Sequence, residues 1–286
     1  MITKAVLPVA GFGTRFLPAS KAIPKEMLPI IDKPIVQYAV EEAIEAGIKE
    51  IIFITSPEKS SIEKHFSINE ELSQKLIKSN KLEYLEKLNP KIFNDVKFHY
   101  VDQKEQNGLG DAISYAKNII DNEPFAVLLP DEIYLSKISC MRQLLDVYKK
   151  TKSTVIAVKE VDQDNIHKYG VIKPQEILNN FSKISDIVEK PKKENAPSKY
   201  AVCGRYILSH NIFSYLQSVD ADINGEIQLT DGIKSLLKDE DIFACFYEGS
   251  KYDCGSKEGF VEATLIFAIE NKLISKDFLK TIKDFD

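Results

Sequence analysis

Short, continuous apolar runs alternate with amphipathic stretches through the first half of the chain. Lys4–Ala10, Glu50–Thr55, Lys97–Val101 and Phe125–Leu129 are runs of strand length. Between the first two, Ile35, Ala39, Ala43 and Ala46 fall on one helical face that stops at Gly47, so Ile35–Ala46 is expected as a helix. Pro57–Phe66, Glu70–Leu88 and Gly110–Ile120 also read as helices. Strand and helix in alternation imply a mostly parallel sheet with helices on both faces. The segment from Gly11 to Pro34 fits neither period. It carries Pro18, Pro24, Pro29 and Pro34 and is expected as a long loop.

The second half changes character. Thr154–Val161, Gly170–Lys173, Ile184–Glu189 and Tyr200–Leu208 are strand-like with fewer helices between them, which suggests mixed or antiparallel pairing added to the sheet. Glu226–Leu237 reads as a helix, Phe243–Glu248 as a strand and Glu258–Asn271 as a helix. Asp277–Asp286 shows the weaker pattern of a final helix. No repeat, low-complexity tract or linker divides the chain. Its 286 residues suit one large domain.

Composition narrows the function. Against 43 acidic residues stand 38 Lys and Arg, a net charge of −5 that argues against non-specific nucleic-acid binding but not against an anionic small substrate. Cys140, Cys203, Cys245 and Cys254 form no C-x-x-C pair, which disfavours a zinc site or disulfide framework and suits a reducing cytoplasm. The apolar start is too short for a signal segment, and no stretch reaches membrane-spanning length. His65, His99, His167 and His210 lie far apart and are expected to pack or face solvent rather than bind a metal.

The first strand runs into Ala10-Gly-Phe-Gly-Thr-Arg-Phe-Leu-Pro18. Gly11 and Gly13 would let backbone N–H groups approach a phosphate, although a lone G-x-G is also an ordinary tight turn. Arg15 follows at once, and Lys25 and Glu26 lie further along the same proline-pinned loop. A dinucleotide fingerprint would need a third glycine where Phe16 stands, and no G-K-[ST] completes a P-loop. Asp131 and Glu132 close the Phe125–Leu129 strand, at the sheet edge where open α/β folds bind ligands. Asp131 could instead cap a turn, and so could Asp253 in Tyr252-Asp-Cys-Gly255. Two hard carboxylates beside phosphates suit Mg2+. Glu189-Lys190-Pro191 offers a carboxylate for hydroxyls and a cation for a phosphate, or is a plain charged turn.

These blocks, with NGLG, KYGVI, KYAVCGRYIL, GEIQLTD and YDCGSKEG in order over nearly the whole chain, resemble the bacterial UTP–glucose-1-phosphate uridylyltransferases, a family of sugar nucleotidyltransferases. The first block and GEIQLTD are the most specific. The resemblance implies a Rossmann-like, mixed, mostly parallel sheet flanked by helices, the nucleotide-diphospho-sugar transferase fold, with a smaller added β region. It implies a nucleotide-binding half over 1–150, a sugar-phosphate-binding half over 151–256, and C-terminal helices over 257–286. By position, Ala10, Gly11, Glu26, Gln103 and Gly108 would meet uracil. Gly13 and Thr14 belong to the same nucleotide loop, and Arg15 and Lys25 would hold the triphosphate. Asp131 would bind Mg2+ with Asp253. Gly170 and Glu189 would contact glucose hydroxyls, and Lys190 the sugar phosphate.

Two residues depart from the family pattern beside the expected base pocket. Asp102 precedes Gln103 where Arg is typical, and Asp111 follows NGLG where His or Ala is usual. Both bear on nucleotide affinity and base selectivity. The implied reaction joins UTP and glucose 1-phosphate into UDP-glucose and pyrophosphate in the cytoplasm. Arg15, Lys25, Asp131 and Lys190 would be its catalytic groups. A sugar-phosphate oxygen is already anionic, so no general base or covalent intermediate is required. Thymidylyl or cytidylyl transfer, or a non-catalytic sugar-nucleotide sensor, are the alternatives. The family is commonly dimeric or tetrameric. Phe260, Leu265, Ile266 and Phe267 could supply an interface or pack on the chain's own sheet.

Overall fold

A computed structural model describes residues 2–283. The strands in chain order are β1 (Lys4–Pro8), the hairpin pair β2 (Pro29–Ile30) and β3 (Lys33–Pro34), β4 (Glu50–Thr55), β5 (Lys97–Asp102), β6 (Phe125–Leu128) and β7 (Glu132–Leu135). They continue with β8 (Thr154–Glu160), β9 (Gly170–Leu178), β10 (Phe181–Glu189), β11 (Tyr200–Leu208), β12 (Ile242–Phe246) and β13 (Ser250–Asp253). Nine of them form one sheet in the order β5-β4-β1-β6-β11-β8-β12-β10-β9. β5, β4, β1 and β6 are parallel neighbours, and β12 lies parallel on β8. β11 and β10 run against the rest. The mixed pairing expected of the second half is therefore confined to two reversed strands.

Both faces of the sheet are covered, which is why β4 and β6 read as unbroken apolar runs rather than alternating ones. Ala5, Leu7, Ile51 and Phe53 pack under the helices Ile35–Glu45 and Cys140–Thr151. Val6, Ile52, Ile54 and Val127 face the helices Leu109–Ser114, Ile212–Leu216 and Leu229–Leu236. A third, smaller core of Ile30, Ile35, Ile133, Tyr252 and Phe267 seats the helix Lys257–Glu270 on the two minor sheets.

Several elements differ from the sequence expectation. The Glu70–Leu88 helix is two helices, Glu70–Lys78 and Glu83–Leu88, broken where Asn80 adopts φ 54°. Asn tolerates that left-handed stop, and neither helix buries a residue that would hold it straight. Gly110–Ile120 likewise divides into Leu109–Ser114 and Lys117–Ile120. The strand expected over Gly170–Lys173 continues to Leu178 through Pro174, tolerated because β9 is an edge strand. The helix expected from Glu226 begins at Leu229, because the Asp222 carboxylate first accepts the N–H groups of Asn224 and Glu226 in a turn. Cys140–Thr151, Ile212–Leu216, β7 and β13 were not anticipated. The final helix spans Lys276–Lys283, and residues 284–286 of that expectation lie outside the described residues. Among the described residues no helix is long and apolar enough to cross a membrane.

Candidate active site

The parallel strands β1, β4, β5 and β6 end along one edge, where the loops after β1, β5 and β6 line a cleft of about 670 Å3. Its lining brings together Ala10, Gly11, Gly13, Thr14 and Arg15 from the loop after β1, Lys25 and Glu26 from the proline-rich segment, and Gln103 and Gly108 after β5. Asp131 enters after β6, and Glu189 and Lys190 at the end of β10. Twelve positions singled out from the sequence thus share one cavity.

The glycine loop is held from beneath. Gly13 takes φ 66°, and a Cβ there would sit 3.1 Å from the Lys25 Cβ. Lys59 Nζ donates to the carbonyls of Val9 at 2.5 Å and Gly11 at 2.7 Å, and to Glu26 Oε2 at 2.8 Å. Glu26 is 1% exposed. Burial pushes its carboxyl above the ordinary range, against the opposing charges of Lys59 and Lys25. Burial likewise pulls the Lys59 ammonium below the usual lysine value despite Glu26. Gly108 adopts φ 97°, and a Cβ there would lie 2.8 Å from the Ile227 carbonyl oxygen. Only glycine fits this approach.

The charged end is built by the small β13–β7 ladder, whose register sets Asp253 opposite Glu132. Asp131, the residue before Glu132, is thereby brought beside Asp253. A point one Cβ above Gly255 lies 2.9 Å from Asp131 Oδ2 and 3.0 Å from Asp253 Oδ1. Burial, then the charge of Asp131, push the Asp253 carboxyl up. Asp131 would be raised by burial, but the Lys25 ammonium at 2.6 Å and the Arg15 charge hold it below the ordinary carboxylate value. Two hard oxygens converging over a glycine, one carboxyl raised by the other, fit a divalent cation bound mainly by substrate and water. Arg15 Nη1 reaches the Gly255 carbonyl at 3.4 Å.

At the far end Glu189 Oε2 accepts a hydrogen bond from Thr230 at 2.6 Å, and Lys190 Nζ lies 3.4 Å from Glu189 Oε1. Gly170 is buried under this pair, its absent Cβ 3.2 Å from Glu189 Oε2. Gly170 and Asp253 do not line the cleft directly but back residues that do. Asp102 does not face it. Asp102 lines a neighbouring hollow with Ser56, Lys59 and Tyr100 rather than the cleft itself. Asp111 stands behind Gln103 and accepts from its Nε2 at 2.7 Å.

Sequence reading missed Lys59, Gln106, Glu226, Gln228 and Thr230, all in or against the cleft. Glu226 and Gln228 lie in the GEIQLTD block and could have been found there. Lys59 carries no local signal, because its role arises from the packing of β4's exit turn under the glycine loop. Glu132, by contrast, is consumed structurally by Tyr134, the Gly204 N–H and Lys251. Of the expected C-terminal surface, Phe260, Ile266 and Phe267 pack on the chain's own third core, whereas Leu265 is exposed with Val261 and Ile269.

Comparison with known proteins places the chain in a family. The nucleotidyl transferase family matches residues 4–268. The UTP–glucose-1-phosphate uridylyltransferase of Bacillus subtilis strain 168 is 47% identical over 271 residues, 95% of this chain and 92% of that one. Its namesake from Staphylococcus epidermidis RP62A is 46% identical over 286 residues, 100% of this chain and 99% of that one. A UDP-glucose pyrophosphorylase solved with UDP-glucose superposes with TM-score 0.87 at 42% identity, over 94% of this chain and 100% of its own. A UTP-bound enzyme from Acinetobacter baumannii superposes with TM-score 0.90 at 37% identity, over 100% of both chains.

Proposed function

The chain belongs to the nucleotidyl transferase family, in the branch of the UTP–glucose-1-phosphate uridylyltransferases, and we propose that it carries out their reaction as one domain in the cytoplasm. An oxygen of glucose 1-phosphate attacks the α-phosphorus of UTP. A new P–O bond forms, the α–β bridging P–O bond breaks, and pyrophosphate leaves as UDP-glucose is made. One observation carries the proposal: a glycine loop, the cations Arg15, Lys25 and Lys190 and the Asp131 carboxylate share one cleft, with Asp253 converging on Asp131 from behind it.

The nucleotide lies against Ala10, Gly11, Gly13 and Thr14, with the base between Glu26, Gln103 and Gly108. Arg15 and Lys25 hold the triphosphate, and Arg15 stabilises departing pyrophosphate. Lys190 delivers the sugar phosphate, while Glu189, kept in place by Thr230 over Gly170, accepts glucose hydroxyls. Asp131 and Asp253 are the residues that would hold Mg2+, which when bound supplies charge neutralisation at the α-phosphate. The attacking oxygen needs no deprotonation, so catalysis here is positioning and electrostatic stabilisation. The exposed Val261, Leu265 and Ile269 on the helix Lys257–Glu270 supply the contact face of a homodimer or homotetramer, which sedimentation reads directly.

The test is pyrophosphate release with Mg2+, glucose 1-phosphate and each of UTP, dTTP, CTP, ATP and GTP in turn. Strong preference for UTP is expected. Preference for dTTP or CTP would move the chain to a sister specificity. Binding of UDP-glucose without release from any nucleotide would make it a sensor.

A further inference from the structure

We propose that Asp111 is a positioning residue for base specificity: it locks the Gln103 carboxamide so that its carbonyl oxygen, and not its amino group, faces the nucleobase. The inference rests on the placement of the base against Gln103 proposed above. Gln103 is 5% exposed and lines the cleft, and its main-chain N–H is tied to the Thr55 carbonyl at 2.8 Å. Its Nε2 donates to Asp111 Oδ2 at 2.7 Å. A carboxylate can only accept, so the amide has one satisfied orientation, with its NH2 toward Asp111. The carbonyl oxygen then takes the other direction, and among the described residues it has no protein partner.

Asp111 is itself fixed. It sits in the first turn of the helix Leu109–Ser114, whose start is anchored by Gly110 N–H to the Ile227 carbonyl at 2.8 Å and by the close approach of Gly108 to the same oxygen. Reversing Gln103 would press two acceptors together at 2.7 Å and leave its amino group without Asp111.

The consequence is a choice between base classes. Uracil and thymine carry an N3–H flanked by carbonyls, and this donor matches a fixed acceptor. Cytosine carries a bare N3 acceptor, which a fixed carbonyl oxygen repels. Asp111 therefore commits the pocket to imide bases and leaves discrimination between uracil and thymine to other groups. This gives a role to one of the chain's two departures from the family pattern.

Asp111→Asn tests the chemistry with shape held constant. An asparagine can present either its carbonyl or its amino group, so both amides can turn together and Gln103 can offer a donor to N3. Binding of UTP and CTP is measured by calorimetry, alongside pyrophosphate release with each. In Asp111→Asn the UTP:CTP affinity ratio is expected to fall at least tenfold, with the UTP:dTTP ratio unchanged. In a Gln103→Ala background the same substitution should no longer move the UTP:CTP ratio, because Asp111 acts through Gln103. Asp111→Ala provides a second route to the same loss. A UTP:CTP ratio within twofold of wild type in both variants would overturn the proposal, and so would wild-type protein binding CTP as tightly as UTP. Selective binding lost in Asp111→Asn, with no pyrophosphate release even from wild type, would support this inference while refuting the catalytic one.

Discussion

Replacing Lys59 by Met isolates the contact on which the nucleotide loop rests. The ammonium makes three bonds, to the Val9 and Gly11 carbonyls and to Glu26, and the side chains of Lys59 and Glu26 are only 10% and 1% exposed. Breaking a buried pair costs about 3–5 kcal/mol, because the partner keeps an uncompensated charge. The Lys25 charge also reaches Glu26, and Glu26 can take up a proton, so the lower end applies. At about 2–3 °C per kcal/mol for a chain of this size, a loss of about 3 kcal/mol lowers the melting temperature by about 6–9 °C. The pH dependence has a definite sign. The folded Glu26 carboxyl lies above its ordinary value of 4.5, so its contribution is fully present below that value and is lost as pH rises through the folded pKa. Removing Lys59 raises the folded value further. The melting gap between variant and wild type should therefore be widest near about pH 8 and narrow toward about pH 5. The loosened loop should also raise the KM for UTP about tenfold with a smaller effect on kcat, the loss of about 1.4 kcal/mol of binding. A melting gap that stays constant across pH, with the KM for UTP unchanged, would refute the assignment.

Asp131→Asn should lower kcat by about 10²–10³-fold, the scale of losing one electrostatic contact at the reacting phosphate, while the melting temperature moves little because the carboxylate is partly solvated. Arg205→Leu should destabilise by about 3–5 kcal/mol in chemical denaturation, since it strands Glu42 against a guanidinium site 1% exposed, yet leave the KM for both substrates near wild type. Gly108→Ala should weaken UTP binding by calorimetry about tenfold or more, because its Cβ would meet the Ile227 carbonyl at 2.8 Å at a φ that alanine resists.

The parallel half of the sheet was legible because its signals are local: EIIFIT is buried on both faces, and its expected bounds are those of β4. The glycine loop was legible for the same reason, being one continuous segment. β7 and β13 were not legible, because each fully buries one residue of four and so lacks the unbroken apolar run that marks the equally short β6. Cys140–Thr151 was different. Its apolar Cys140, Met141, Leu144, Leu145 and Val147 hold a helical spacing that was available and went unused. Asp131 and Asp253 were each singled out as a hard carboxylate near a strand end, but their contact was not legible. No local pattern tells that a ladder register will set Asp253 opposite Glu132.

That register also explains why two adjacent carboxylates have unlike fates. Consecutive residues at the start of a strand point to opposite sides. Glu132 turns inward and is saturated by the Tyr134 hydroxyl, the Gly204 N–H and Lys251. A group so fully paired cannot exchange partners without opening the core around β11. Asp131 points into the cleft, where its side-chain partner among the described residues is the Lys25 ammonium, which lines the same cleft. In the proposed reaction Lys25 would trade this carboxylate for a phosphate while Asp131 would trade the ammonium for a metal. The same division separates the buried Arg205–Glu42 pair from Lys190–Glu189, whose cation is half-exposed. Charge sealed in the core sets the walls of the cleft, and charge left exchangeable at its rim is what can meet a polyphosphate.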